Sequence, residues 1–401
     1  MPPRDGEPDP RRYRMLALVC LAELLGMSLW FVATAVTPEL RARWMLDAHQ
    51  AAWLTTIVQL GFVAGTALIA VLNLADLWPA RRLWAFCAVA GALTNLALIP
   101  APGYAAALAL RFMTGFFLAG VYPPAMKMIA TWFQRYRGLA IGSVVGALTV
   151  GKAMPYLIQA LGGASLVAVV VASSAGALIA AMLIGFFFVD GPFPFPQRPF
   201  SWGLVGTVLH SRPTRLAIAS YLGHMWELYA MWVWLPAFLA ASLLAHDSEI
   251  PKYLADALAF GGLAAGGLGC LWGGWMSARW GYAKVVSVAM AISGACSLAI
   301  GLLFGASPWL LVPVVWIWGF FVVADSAQFS AMVTETAPPH AVGTALTLQT
   351  SMGFLLTMVT IQLVPLMVEG AGWRWAFPVL ALGPAVGIIA ARPLQALLRR
   401  T

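Results

Sequence analysis

Long apolar stretches recur along this sequence. They lie at approximately 16–36, 51–74, 83–100, 104–133, 138–160 and 163–189, and again at 215–243, 254–277, 284–305, 308–333, 341–368 and 373–396. Each is close to the roughly 20 residues that a helix needs to cross a bilayer. The bilayer core offers no water to unpaired backbone groups, so each stretch is predicted to be a membrane-spanning helix. The runs are continuous rather than alternating over about ten residues, which excludes a transmembrane β-barrel. The 401 residues are 61% hydrophobic and only 9% charged, whereas a soluble domain is roughly a quarter charged. That balance excludes a cytosolic enzyme, a disordered chain and a secreted disulfide scaffold.

The first stretch follows a basic start and contains Ala33-Thr34-Ala35, features shared with secretory signals. It exceeds 20 residues and its pattern recurs later in the chain, so it reads as the first membrane helix. Between the sixth and seventh stretches lies Gly191-Pro192-Phe193-Pro194-Phe195-Pro196-Gln197-Arg198-Pro199. Proline at that density cannot sustain a lipid-buried helix, so a linker begins there. The predicted organisation is a six-helix bundle over 1–190, a cytoplasmic proline-rich linker over 191–213 and a second six-helix bundle over 214–401. Cys20, Cys87, Cys270 and Cys296 all fall in apolar stretches without CxxC spacing and read as small buried hydrophobes.

The basic residues predict orientation. With both termini in the cytoplasm, sixteen of the 23 fall on the cytoplasmic side, including Arg81, Arg82, Arg135, Arg137, Arg279 and Lys284. Arg41, Arg43, Lys252 and Arg374 fall outside, and Arg111, Lys127 and Lys152 fall within helices. This is the positive-inside asymmetry. It accounts for the formal charge of +8 without nucleic acid, since no soluble basic face exists.

The two halves repeat. Glu23-Leu24-Leu25-Gly26-Met27-Ser28-Leu29-Trp30 matches Glu227-Leu228-Tyr229-Ala230-Met231-Trp232-Val233-Trp234 in Glu, Leu, Met and Trp at an offset of 204. The same offset aligns Gly115-Phe116-Phe117 with Gly319-Phe320-Phe321, and an offset of 205 aligns Gly138 with Gly343. Parallel six-helix repeats are a transporter plan, with the substrate site between the halves at the membrane midplane.

Together these features resemble the major facilitator superfamily over essentially the whole chain. The family's loop between helices two and three reads G-x-x-x-D-R-x-G-R-R. Here Asp76, Arg81 and Arg82 stand in that loop, with both glycines replaced. The loop between helices eight and nine keeps Gly274, Gly281 and Arg279 but has Ala278 in place of the acid. The resemblance implies the twelve-helix fold, alternating access and a cytoplasmic gate at Asp76, Arg81, Arg82 and Arg279. Gly138, Gly142 and Gly146 put a small residue at every fourth position of helix five, which lets a neighbouring helix approach closely. The antiporter branches end that run in Gly-Pro; here Gly151 and Pro155 are separated by Lys152, Ala153 and Met154. The arginines of the nitrate and nitrite branch, in helices two and eight, are absent.

A charge at mid-membrane costs about 2.5–3.5 kcal/mol on insertion scales. Glu23, Glu227, Lys152 and Asp325 left unpaired would together cost roughly 10–14 kcal/mol, so they must meet partners or a water-filled cavity. Glu23 and Glu227 occupy matching positions and are predicted to flank the central cavity as proton carriers, with Asp325 a third. The alternative is a structural carboxylate bonded to a hydroxyl or a tryptophan N–H. Lys152 either holds a substrate carboxylate or neutralises Asp325 or one of the glutamates; Thr357 stands at its repeat position. Arg111, near the outer end of helix four, contacts substrate, packs or snorkels, and snorkelling is expected of Lys127. His224, three residues before Glu227, shares its helix face and could relay protons. His224 with Met225 and Met231 could also bind a soft metal, although the scatter of 17 methionines makes no metal the expectation. Trp30 and Trp234 line the site or pack.

No GxxxxGK[ST], His/Cys cluster or soluble domain is present, so neither an enzyme nor ATP-driven transport is expected. The sequence predicts a monomeric secondary transporter of a bacterial-type inner membrane, without cofactor, moving a small organic anion or zwitterion with protons. Proton-driven efflux of a hydrophobic or cationic compound is the alternative.

Overall fold

The computed structural model describes residues 9–72, 74, 78–134, 136–162, 165–193, 200–247, 249, 251 and 253–397. Its helices line up as twelve rods. The first half holds Arg11–Gly26 with its continuation Val32–Ala35, then Ala48–Val71, Ala80–Leu96, Tyr104–Leu118 with Tyr122–Ala130, Arg137–Gly162 and Leu166–Phe187. The second holds Arg212–His246, Tyr253–Trp280, Tyr282–Ala299, Pro308–Ala324 with Ser326–Thr336, Val342–Ala371, and a twelfth rod ending in Leu382–Leu397. Ten rods are long and apolar enough to cross a membrane. The others are the first, broken after Gly26, and the third, which is 17 residues long.

The packing repeats as the sequence does. In the first half rod two packs on four, three on six, one on six, one on five and three on four. The second half has every counterpart: eight on ten, nine on twelve, seven on twelve, seven on eleven and nine on ten. Glycine contacts explain why the offset of 204 survives. A Cβ on Gly115 would stand 2.1 Å from the carbonyl oxygen of Val58, and one on Gly319 would stand 1.7 Å from that of Gly262. Likewise Gly65 faces the Phe116 carbonyl and Gly269 faces that of Phe320. Each pair is displaced from its mate by 204 residues, so the repeated glycines mark the same two crossings, where any side chain would force the rods apart.

Two further pairings join the halves, rod five with eight and rod two with eleven. Along the first, Gly146 packs on the Gly267 carbonyl and Gly142 on that of Cys270, where a Cβ would approach to 2.8 and 3.0 Å. The spacing of small residues in helix five therefore serves an approach between halves. Twelve alternating rods bring both ends of the described chain to one face, and this glycine seam lies toward it. Toward the opposite face, Gln362 of rod eleven donates from Nε2 to Thr56 Oγ1 at 3.1 Å. Its Oε1 lies 3.2 Å from His49 Nδ1. The halves thus meet at both ends of the seam, and the residues between are shut off from both faces.

Two local expectations need correction. The stretches at 104–133 and 308–333 are not single helices: the first breaks between Leu118 and Tyr122, where Pro123 and Pro124 restart it, and the second breaks at Asp325. These breaks coincide under the offset of 204. Within 191–213, Trp202–Leu204 and Val205–His210 form short helical segments; Pro194–Pro199 lie outside the described residues. All four cysteines are free, and Cys20 is only partly buried.

Candidate functional site

Lys152 stands in the middle of the seam, 3% exposed. Gly151 beside it presses on the backbone of Leu24, which sets rod five against rod one. The ammonium lies 4.1 Å from the ring centre of Trp30, 4.8 Å from Tyr229 and 5.2 Å from Trp232, and donates to the Tyr229 hydroxyl. Trp30 belongs to the first half, Tyr229 and Trp232 to the second. Among the described residues Lys152 forms no ion pair. Ring faces lie against the ammonium, each worth about 2 kcal/mol or more when desolvated. Lys152 forms no direct ion pair with Asp325, Glu23 or Glu227 among the described residues, while Glu23 acts on it electrostatically at longer range.

The rings continue across the seam. Phe62 and Phe354 lie 4.5 Å apart between centres, Trp30 is 5.8 Å from Tyr229, and Trp30 is 5.9 Å from Phe354. Each such pair contributes about 0.5–1.5 kcal/mol beyond the area it buries. The indole N–H groups of Trp30 and Trp232 are buried and have no hydrogen-bond partner among the described residues.

Trp30 reaches Lys152 because rod one is unwound beneath it. After Gly26 the chain makes a tight turn at Met27–Leu29 and resumes as α-helix only at Val32. Carbonyls released at membrane depth need donors from protein. Arg111 supplies them: Nη1 donates to Leu29 O at 3.0 Å and Nη2 to Trp30 O, while Nε reaches Leu54 O of rod two at 3.5 Å. Nη1 also donates to Asn95 Oδ1 at 3.3 Å, and Asn95 Nδ2 donates to Ser174 Oγ at 2.9 Å. Arg111 is fully buried, so it does not snorkel. The repeat clarifies its role. Val315 stands at the matching place in rod ten and offers no donors, and rod seven runs unbroken from Arg212 to His246.

The two repeated glutamates are each held within their own half. Glu23 Oε1 accepts from Trp84 Nε1 at 2.8 Å, and Oε2 has no hydrogen-bond partner among the described residues. Glu227 accepts from Ser293 Oγ at 2.7 Å and from Trp318 Nε1 at 2.8 Å. These are the hydroxyl and tryptophan partners of the structural alternative, and both carboxylates are buried. His224 does not pair with Glu227. Its Nδ1 lies 2.9 Å from Asp325 Oδ1 and its Nε2 lies 3.0 Å from Ser326 Oγ, at the break in rod ten. An i, i+3 pair gains only about 0.2–0.5 kcal/mol on a helix, less than a buried carboxylate gains from donors on other rods. With both ring nitrogens engaged, His224 is not poised with Met225 and Met231 for a metal.

Trp234 is not beside Lys152. Its Nε1 donates to Ile361 O at 2.8 Å and its ring faces Trp373. Rod seven stays helical there, so the repeat partner of Trp30 points elsewhere. Of the gate residues, Asp76 lies outside the described residues. Arg81 Nη1 donates to Phe188 O at 3.3 Å, Arg82 is exposed, and Arg279 stacks on Trp275 at 4.0 Å. Sequence reasoning quoted Tyr229 and Trp232 only as repeat positions and missed Phe62, Phe354, Trp84, Ser293, Trp318 and Asn95. The available signal was that Tyr229 and Trp232 closely follow Glu227 in the sequence, in the half opposite an intramembrane lysine.

The sequence profile of the Major Facilitator Superfamily matches residues 18–355. No curated protein sequence matches the chain. Among solved structures, the nucleoside transporter NupG superposes with a TM-score of 0.69 at 16% identity, covering 95% of this chain and 99% of that one. The E. coli fucose:proton symporter FucP gives 0.69 at 15% identity, covering 95% and 98%. The chain belongs to the major facilitator superfamily and is a membrane-embedded secondary transporter, not an enzyme.

Proposed function

We propose that the protein moves a small organic anion or zwitterion together with protons by alternating access. The observation that carries this reading is Lys152: a buried ammonium at the seam with no ion-pair partner among the described residues, bridging a helix of one half to Tyr229 of the other. An entering carboxylate would take up the vacant ion pair and draw Tyr229 and Trp232 with it, so closure of the halves would depend on the substrate. Arg111 serves the site from behind by holding Trp30 in place. Glu23, whose Oε2 lacks a hydrogen-bond partner among the described residues, Glu227 and the His224–Asp325 pair are the proton carriers. The fold is shared with a protein named as a fucose:proton symporter.

The positive-inside asymmetry supports a bacterial inner-membrane protein with both termini cytoplasmic. The glycine seam of rods five and eight is then the cytoplasmic closure, with Arg81, Arg82 and Arg279 at its rim. The protein acts as a monomer, each chain holding a whole site between its two halves. Efflux of an apolar cation draws support from the rings, yet an ammonium at Lys152 opposes a cation in the same space.

Uptake into proteoliposomes under an imposed pH gradient tests the reading. Accepted anions should accumulate in wild type, Lys152→Ala should abolish this, and Glu227→Gln should uncouple it from the gradient. Transport of every accepted anion unchanged by Lys152→Ala would sink the anion reading. Wild-type uptake indifferent to the gradient would sink proton coupling.

A further inference from the structure

The surroundings of Lys152 narrow the substrate further than its charge does. Its close neighbours are rings, Trp30 from the first half and Tyr229 and Trp232 from the second, and behind Trp30 stand Phe62 of the first half and Phe354 of the second. In the closed seam these rings satisfy one another. Phe62 lies 4.5 Å from Phe354, and Trp30 is 5.2 Å from Phe62 and 5.8 Å from Tyr229. Admitting any substrate between the halves separates the cross-seam pairs. An aliphatic anion would satisfy the ammonium and leave the rings without partners. A flat aromatic ring would replace them, because offset and edge-on packing with Phe, Tyr and Trp is available only to another π face or edge.

The polar groups of the cluster agree. The ammonium of Lys152, the hydroxyl of Tyr229 and the indole N–H groups of Trp30 and Trp232, partnerless among the described residues, are all able to donate. Trp30 and Trp232 are fully or almost fully buried, so their N–H groups have no water to turn to. A cluster of donors walled by rings matches a planar molecule that ends in acceptor oxygens. We infer that the site takes a planar aromatic monocarboxylate, its carboxylate on Lys152 and its ring between Phe62 and Phe354. The inference rests on the proposed anion transport and specifies its substrate class.

The test uses the full chain in proteoliposomes with radiolabelled benzoate, competed by cyclohexanecarboxylate and by propionate. Cyclohexanecarboxylate keeps the charge and approximate size of benzoate and loses only the flat π system. The expected result is Lys152-dependent benzoate uptake, inhibited at least tenfold more weakly by cyclohexanecarboxylate than by unlabelled benzoate. Phe354→Leu, which keeps the site apolar, should cut that preference to under threefold. Equal inhibition by the two rings, or Lys152-dependent uptake of propionate with none of benzoate, would overturn the aromatic class and leave anion transport standing. If none of the three anions is transported, or if Lys152→Ala transports benzoate as wild type does, the inference and the reading beneath it fall together. Stabilisation of detergent-purified wild type by benzoate and not by cyclohexanecarboxylate, read as a thermal shift, supports the inference independently of any variant's folding.

Discussion

Arg111 donates to the backbone carbonyl of Trp30, while the Trp30 ring lies 4.1 Å from the ammonium of Lys152. One residue thus joins a backbone anchor in rod four to the charge at the seam. The anchor exists only in the first half, where the helix it serves is broken. The symmetry of the fold is therefore strict in helix packing and relaxed at the site.

Arg111→Leu should lower the thermal midpoint of the purified protein. It strands the Leu29 and Trp30 carbonyls, at a cost of about 1–3 kcal/mol for each buried group left unpaired. Arg111→Lys should recover little, since a single ammonium cannot reproduce the planar fork of donors. An unchanged midpoint in Arg111→Leu would show that rod one is not held by this clamp.

Glu23→Gln and Glu227→Gln preserve shape and can still accept from Trp84 and Trp318. Both variants should fold with midpoints near wild type. Accumulation driven by a pH gradient should fall at least tenfold, while substrate counterflow at equal pH persists. If counterflow and gradient-driven uptake fall together, the glutamates are structural and not proton carriers.

Gly146→Leu places a side chain where even a Cβ would come within 2.8 Å of the Gly267 carbonyl. Rods five and eight could no longer close, and transport should drop by an order of magnitude or more with insertion intact. Gly138→Ala is the control, because its Cβ would meet nothing within 4 Å. The pair is read by spin-label distances across the seam, which should lengthen only in Gly146→Leu.

Gln362→Leu removes both polar contacts at the opposite end of the seam, to Thr56 and to His49. Each neutral bond contributes about 0.5–1.5 kcal/mol, so the closed arrangement should lose several-fold in population. A cysteine introduced at Trp30 should then react faster with a membrane-impermeant thiol reagent. Unaltered reactivity would mean that these bonds do not hold the seam shut.

Much of the fold was legible because its causes are local. Apolar length sets a crossing, and a glycine at a close crossing must recur wherever that crossing recurs, as Gly115 and Gly319 do. The third rod illustrates the limit of length alone, since its 17 residues fall short of a standard span and packing on rods four and six holds it. The site was legible in its charges and not in their partners. Glu23 finds Trp84, Glu227 finds Ser293 and Trp318, and His224 finds Asp325. Every one of these lies on another rod.

The sequence by itself determined a membrane protein of six plus six helices, related by a repeat, with a few charges too costly to leave in lipid unpaired. Hydrophobic length, periodicity and offset are properties of the chain in order, and burial costs apply to a residue wherever it packs. Only the tertiary structure decided that rod one unwinds and rod seven does not. A helix keeps its own hydrogen bonds unless a neighbour offers donors in exchange, and Arg111 does so where Val315 cannot. The same holds for Lys152, whose contact with aromatic faces from both halves depends on which rods meet at the seam.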